Sequence, residues 1–271
     1  MARGNYSLQC AVVLLSLIAS LSTGCLDGTL TVSETWKPLI TSEPMVTPRP
    51  TPEPTPEPTP EPTPEPTPEP IVRVPATETP ADDEFFADAA FVGNSLMDGF
   101  RMFSGLETCD YYAATSLSVF GLAGTRFVYL KNGGMGTAFD GLAQREYGKV
   151  YILLGINEIG YDTDGFRQKY SETIDAMREI LPGADYYIMS IIPVSKAKSS
   201  SDRTFNMERV NMYNEALFDM AREKGCYYID LCEALADSEG FLPADVTNDG
   251  VHFTPAHYKV WLEYLRTHYV S

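Results

Sequence analysis

A serine, an asparagine and an aspartate–histidine pair are the residues of this sequence that could perform acyl chemistry. Ser95 closely follows the apolar run "AAFVG", Asn157 closely follows the apolar run "KVYILLG", and Asp249 stands three residues before His252. A serine hydroxyl becomes an effective nucleophile when a histidine takes its proton and a carboxylate orients that histidine. A side-chain amide can donate to the oxyanion that forms when the serine attacks an ester.

Each of these residues also has a purely structural explanation. Ser95 could be the N-cap of the helix that follows it, which is a common role for serine. Asn157 could be a turn residue, and "NDG" around Asp249 is a turn signal. His252 could be a hydrogen-bonded histidine beside the C-terminal helix. The catalytic interpretation therefore depends on whether the fold brings the four side chains together.

Short apolar runs alternate with helical patterns along the sequence. They predict the strands and helices that would position these residues. Five runs predict buried strands: "AAFVG", "YYAAT", "KVYILLG", "DYYIMSIIP" and "CYYIDL". Amphipathic helical patterns separate the last three runs, and this alternation predicts a parallel sheet covered on both faces. Ligands bind at the carboxyl ends of such strands. We therefore expect Ser95, Asn157 and the loop "NDGVHFTPAHY" to meet on one rim.

Three short blocks resemble those of a known family. "GNSL" at 93–96, "GINE" at 155–158 and "DGVH" at 249–252 are similar, in this order, to the sequence blocks of the SGNH hydrolases, also called GDSL esterases and lipases. The resemblance covers residues 85–271 and implies a three-layer α/β/α sandwich with a five-stranded parallel sheet, flavodoxin-like in order. Asn94 departs from the family signature, which usually has aspartate there.

Roles for the triad follow from the chemistry and agree with the resemblance. Ser95 is predicted to be the nucleophile, His252 the general base and then acid, and Asp249 the carboxylate that orients the histidine. The backbone N–H of Ser95 is predicted to be an oxyanion donor because it lies at a helix N-terminus. The side-chain amide of Asn157 is the second predicted donor, as the family's asparagine is.

A third oxyanion donor is harder to assign. The family takes it from a glycine after the second strand, but "TSLSVFGLAG" has no clear counterpart. The backbone N–H of Val119 or of Ser118 is predicted to serve instead, since a backbone donor needs no particular side chain.

The N-terminal residues resemble an export signal. The apolar run "AVVLLSLIASL" is short for a membrane span, and "LSTGC" resembles the lipobox of bacterial lipoproteins, although Ser22 departs from the usual leucine. We expect a signal peptide over residues 1–24 and a lipidated Cys25, which would make the protein an extracytoplasmic, membrane-anchored lipoprotein at the cell surface. Secretion without a lipid and an uncleaved anchor are the alternatives.

A proline-rich segment separates this signal from the predicted catalytic domain. Residues 47–70 repeat "TPEP". Such a segment favours an extended polyproline II spacer, which at about 3.1 Å per residue reaches roughly 75 Å. A proline-motif ligand for a partner is the alternative. The sequence thus predicts a disordered linker over 25–84 and one SGNH hydrolase domain over 85–271.

Composition limits the partners. The net charge is −17 and no basic run is present, which argues against a nucleic-acid partner. The three histidines have no metal-ligand spacing, so no metal and no cofactor are expected. The expected function is that of a monomeric extracytoplasmic serine esterase acting on short-chain esters, such as O-acetyl groups on carbohydrate or peptidoglycan. An O-acetyltransferase, a lipase or thioesterase, and a non-catalytic glycan-binding protein are the alternatives.

Overall fold

The computed structural model describes residues 72–270. The predicted signal peptide 1–24, Cys25 and the repeat at 47–70 lie outside these residues. Across residues 72–270 no helix combines the length and apolar character that a membrane span requires.

The described residues form alternating strands and helices. The strands are β1 (Ala89–Gly93), β2 (Asp110–Ala113), β3 (Val128–Tyr129), β4 (Met135–Gly136), β5 (Lys149–Leu153), β6 (Asp185–Met189) and β7 (Tyr227–Ile229). The helices are α1 (Ser95–Phe103), α2 (Ala138–Leu142), α3 (Thr163–Ile180), α4 (Lys196–Ser201), α5 (Met207–Lys224), α6 (Cys232–Leu235) and α7 (His257–Thr267), with 3₁₀ turns at Asp83–Phe86 and Ala244–Val246.

Five strands form one parallel sheet in the order β2-β1-β5-β6-β7. Helices α1 and α7 pack together against one face, and α3 packs with α5 against the other. The five predicted strands and the predicted α/β/α fold are therefore confirmed. The strands could be predicted because both faces of the sheet are covered, so their residues are apolar almost without interruption.

An aromatic ladder fills the core beneath α1 and α7. Phe91, Tyr151 and Tyr187 lie opposite one another on three adjacent strands, and their rings stack at centroid distances of 4.6 Å and 4.5 Å. Phe100 of α1 stacks on Phe91 and contacts Trp261 of α7. Burying one such aromatic side chain contributes roughly 1.5–3 kcal/mol to folding.

Two features differ from the sequence-based expectation. Strands β3 and β4 form an antiparallel hairpin that was not predicted, because two-residue strands have no readable alternation. Residues 72–84, assigned to the linker, pack on the domain: Val74 is buried and donates its N–H to Tyr228 in β7. The packed unit therefore begins before residue 85, because the segment at 72–75 lies at the sheet edge beside β7, where Arg73 pairs with Tyr228.

A close contact between α1 and α7 brings the first and last helices of the domain together. A Cβ atom at Gly99 in α1 would lie 2.1 Å from the hydroxyl of Tyr258 in α7, so only glycine allows this approach. The loop that precedes α7 carries Asp249 and His252. Its position near the first turn of α1 follows from this packing.

Candidate active site

Ser95 stands at a tight turn between β1 and α1. The N-cap of α1 is Asn94, not Ser95, because the buried Asn94 side chain accepts the N–H of Leu96 at 3.0 Å. A Cβ atom at Gly93 would lie 2.6 Å from Cβ of Met97, so this turn also needs glycine. The hydroxyl of Ser95 is free for another partner.

That partner is His252. The Ser95 Oγ and His252 Nε2 atoms are 2.9 Å apart, although the residues are 157 positions apart in the chain. His252 Nδ1 lies 2.7 Å from Oδ2 of Asp249. When Nδ1 carries the hydrogen, the Nδ1–H group donates to this carboxylate. Nε2 is then the acceptor of the serine proton. The structure thus brings together three of the predicted site residues in a continuous hydrogen-bonded chain.

The Asp249 carboxylate is held in its charged form. Partial burial opposes ionisation, but the backbone N–H and imidazole of His252 and the N–H of Val251 donate to it and lower its pKa to about 2. A carboxylate that stays charged near neutral pH orients the ring and stabilises the imidazolium that forms when the serine loses its proton.

Gly250 holds the Asp249 loop in place. It has φ of +84°, its N–H donates to Thr247 and its carbonyl accepts the N–H of Ser195 at 2.9 Å. A Cβ atom at Gly250 would lie 2.6 Å from Oγ of Ser195 and 2.6 Å from Cβ of Lys198. The loop therefore packs closely on the segment after β6.

Asn157 lies on the exposed rim beside this chain. Its Nδ2 donates one hydrogen to the carbonyl of Leu117 at 2.8 Å. A primary amide has two N–H groups, and the second forms no hydrogen bond within residues 72–270. This second hydrogen is free for a ligand in the cleft that Asn157 lines together with Ser95 and His252.

The prediction for Val119 needs correction. The side chain of the buried Glu158 accepts the N–H of Val119, so this N–H is not free to bind an oxyanion. Ser118, the other predicted donor, gives its N–H to no group within the described part of the chain. In the same loop Ser116 has φ of 61°, which is uncommon for a residue with a side chain.

The cleft around Ser95 has a volume of about 210 Å³, and its lining includes side chains that the sequence did not point to. Lys198 and Phe205 come from α4 and the loop after it. Lys198 pairs with Asp202 at 3.1 Å and lies over the Phe205 ring at 5.2 Å. No motif in the sequence marks these two residues; the available signal was that their segment follows the fourth sheet strand, β6, at the carboxyl end of the sheet.

Two exposed aromatic side chains stand at the rim. Phe120 and Tyr161 are 44% and 63% exposed, and their ring centroids are 5.3 Å apart. Phe120 follows β2 and Tyr161 follows the asparagine block. The neighbouring Asp162 has a structural role, because its side chain caps α3 by accepting the N–H of Gly165.

A larger groove of about 550 Å³ lies along the outer edge of β2. Two ion pairs lie in its lining, Arg101 with Asp98 at 2.9 Å and Arg145 with Asp110 at 3.0 Å. It contains neither the serine nor the histidine described above. The smaller cleft is therefore the candidate active site, because it alone of the two holds a nucleophile beside a base.

The sequence is similar to a known family. A sequence model of the GDSL-like lipase/acylhydrolase family matches residues 91–260. A comparison with curated proteins gives no match.

Among solved structures, a protein assigned as a platelet activating factor from Streptococcus pneumonia has 18% identity and a TM-score of 0.53, covering 66% of this chain and 81% of its own. One assigned as a GDSL-like lipase from Parabacteroides merdae has 13% identity and a TM-score of 0.51, covering 65% and 92%. These likenesses show the shared fold. The family match covers more than half of the sequence, so the chain belongs to the GDSL-like lipase/acylhydrolase family and is a carboxylic ester hydrolase.

Proposed function

We propose that the protein is a serine esterase that removes short acyl groups, above all acetyl, from carbohydrate or cell-wall polymers outside the cytoplasm. The observation that carries the proposal is the hydrogen-bonded chain from Ser95 through His252 to Asp249, which opens into a small cleft. A binding protein without catalysis has no need for a charged carboxylate that orients a histidine toward a serine.

The proposed reaction proceeds through an acyl-enzyme. Ser95 Oγ attacks the ester carbonyl while His252 Nε2 takes its proton. The N–H of Ser95 and the second amide hydrogen of Asn157 stabilise the oxyanion. Collapse breaks the bond to the alcohol, which leaves with the proton from His252. Water, deprotonated by the same histidine, then attacks the acyl-enzyme; the bond from the acyl carbon to Ser95 Oγ breaks, Oγ takes the proton from His252, and the carboxylic acid is released.

The size of the cleft supports a short acyl group. A volume of about 210 Å³ must hold the acyl group, the oxyanion and part of the alcohol. The apolar wall is small and comes from Ile156, Val251 and Phe205. A long acyl chain would therefore leave most of its apolar surface in water and gain little from burial.

The aromatic pair at the rim supports a carbohydrate alcohol. Phe120 and Tyr161 are exposed and contact each other, and Tyr161 belongs to the loop that carries Asn157. Exposed aromatic side chains near a catalytic serine are typical of binding surfaces, and an aromatic ring suits the apolar face of a sugar.

Acyl-chain preference and acetate release test the substrate. We expect kcat/KM for p-nitrophenyl acetate to exceed that for the octanoate, and acetate to be released from acetylated xylan or peptidoglycan. The matched control is Ser95→Ala, which should release none. A higher efficiency on octanoate with no acetate release would identify a lipase or thioesterase instead.

The proposed location rests on the sequence of the N-terminal residues. A lipid on Cys25, followed by the "TPEP" spacer, would tether the hydrolase domain to a membrane and let it reach surface polymers. Cys25→Ala should therefore move the protein from the membrane fraction to the medium or leave its signal uncleaved. Lipid-free secretion of the unaltered protein would contradict the anchor.

A further inference from the structure

Glu158 is a carboxylate with no exposed surface, located directly behind the rim of the cleft. Its two oxygens accept hydrogen bonds from two different loops. Oε1 accepts the N–H of Val119, after β2, and Oε2 accepts the N–H of Gly155, after β5, at 3.1 Å. One side chain thus joins the loop at 115–121 to the loop at 155–161.

This arrangement is costly for the fold. Burial raises the pKa of Glu158 to about 7, although the backbone N–H groups around it favour the charged form. From α5, Tyr213 donates its hydroxyl to the backbone carbonyl of Glu158 at 2.6 Å, and the buried Tyr170 of α3 lies near enough for burial and the Glu158 charge to raise the pKa of its phenol. An apolar side chain would fill this space at a lower cost of desolvation. A buried acid beside a cleft is a candidate for a functional role.

The link between Glu158 and the oxyanion site runs through Leu117. Asn157, the neighbour of Glu158, donates one amide hydrogen to the carbonyl of Leu117. Leu117 lies two residues before Val119, whose N–H Glu158 holds. The two loops are therefore connected by two adjacent hydrogen bonds. If the Glu158 contact is lost, the carbonyl that orients the Asn157 amide is free to move.

We propose that Glu158 is a positioning residue for oxyanion stabilisation, which holds the two loops so that the second amide hydrogen of Asn157 points into the cleft. This inference rests on the proposed function, because Asn157 acts there as an oxyanion donor. Glu158 itself touches no substrate.

The central test is Glu158→Gln. Glutamine has the same shape, but its amide nitrogen cannot accept an N–H, so one of the two loop contacts is lost. We expect kcat on p-nitrophenyl acetate to fall about 10- to 100-fold. This fall is no larger than the fall in kcat expected when a whole oxyanion donor is removed. KM should change less than about threefold, because the walls of the cleft are unaltered. Glu158→Asp, which is too short to reach both loops, should show the same split between kcat and KM.

A double-mutant cycle shows whether Glu158 acts through Asn157. If it does, Glu158→Gln should have little further effect in an Asn157→Ala background. Losses that multiply, or an unchanged kcat in Glu158→Gln, would overturn the inference. The control is Thr173→Val, which removes a part-buried hydrogen bond within α3, from the Thr173 hydroxyl to the carbonyl of Lys169, and leaves both loop contacts of Glu158 in place. It should leave kcat unchanged.

Amide hydrogen exchange gives a readout that does not depend on activity. Exchange across residues 115–121 should accelerate in Glu158→Gln while the core strands remain protected. Unchanged exchange in that loop overturns the positioning role, whatever the substrate is. A wild-type protein without Ser95-dependent hydrolysis would instead overturn the proposed function, so the two failures are distinguishable.

Discussion

At the scale of single residues, adjacent side chains cap α1 and present the nucleophile. Asn94 takes the capping role and is buried, whereas Ser95 faces His252. As the first residue of the helix, Ser95 has a backbone N–H without an intrahelical acceptor, at the positive end of the helix dipole. The same residue therefore supplies the attacking oxygen and one donor to the oxyanion.

Ser95→Ala should abolish turnover while leaving the fold intact. We expect kcat to fall by at least about 10³-fold, because no other group can form the acyl-enzyme. The thermal midpoint should change little, since the hydroxyl bonds only to His252 at the exposed rim. A fluorophosphonate should label the wild-type protein at Ser95 and leave the variant unlabelled. Labelling at another serine would show that the nucleophile is elsewhere.

Asn157→Ala should lower kcat by about 10²–10³-fold with KM little changed, because one preorganised oxyanion donor is lost. Asn211→Ala is a suitable control, since this exposed asparagine in α5 lies outside the cleft. Steady-state kinetics on p-nitrophenyl acetate measure both. A loss below about fivefold in Asn157→Ala would show that Asn157 is only a turn residue.

At the scale of elements, the sheet could be predicted and the loop contacts could not. The five sheet strands are continuous apolar runs, and the triad residues follow those runs or precede the last helix. The direction of a backbone N–H leaves no trace in sequence, so the Val119 bond to Glu158 could not be foreseen. The same holds for the approach of α1 and α7 at Gly99, which depends on a residue far away in the chain.

Gly250→Ala tests how strictly the Asp249 loop is held. The left-handed φ costs a residue with a side chain about 1–2 kcal/mol, and the new Cβ would contact Ser195 and Lys198. We expect the displaced carboxylate to lower kcat at least tenfold. Gly240→Ala is the matched control, because Gly240 has φ of +85° with open space around it. Equal kinetics in the two variants would mean that the contact at Gly250 does not position Asp249.

At the scale of the whole molecule, two carboxylates of the site respond to pH in opposite ways. The lowered pKa of Asp249 means that its stabilising contacts are lost only as the pH falls from about 4 toward 2. The raised pKa of Glu158 has the opposite effect on the pH dependence of stability. Its folded state binds a proton more tightly than the unfolded chain, so stability is lost as the pH rises from about 4.5 through about 7.

Comparing the wild type with Glu158→Gln isolates the contribution of Glu158 to the pH dependence of stability, because the two proteins have all other charged groups in common. We expect the free energy of unfolding of the wild type, relative to the variant, to fall by up to about 3 kcal/mol between pH 4.5 and pH 7.5 and to level off above that. Urea unfolding at a series of pH values measures this difference. At pH 8 the glutamine variant should thus be at least as stable as the wild type, because burial of the ionised carboxylate lowers the stability of the wild type. The variant should nevertheless have the lower kcat, because only the carboxylate holds both loops. A pH-independent difference would show that Glu158 keeps one charge state throughout this range.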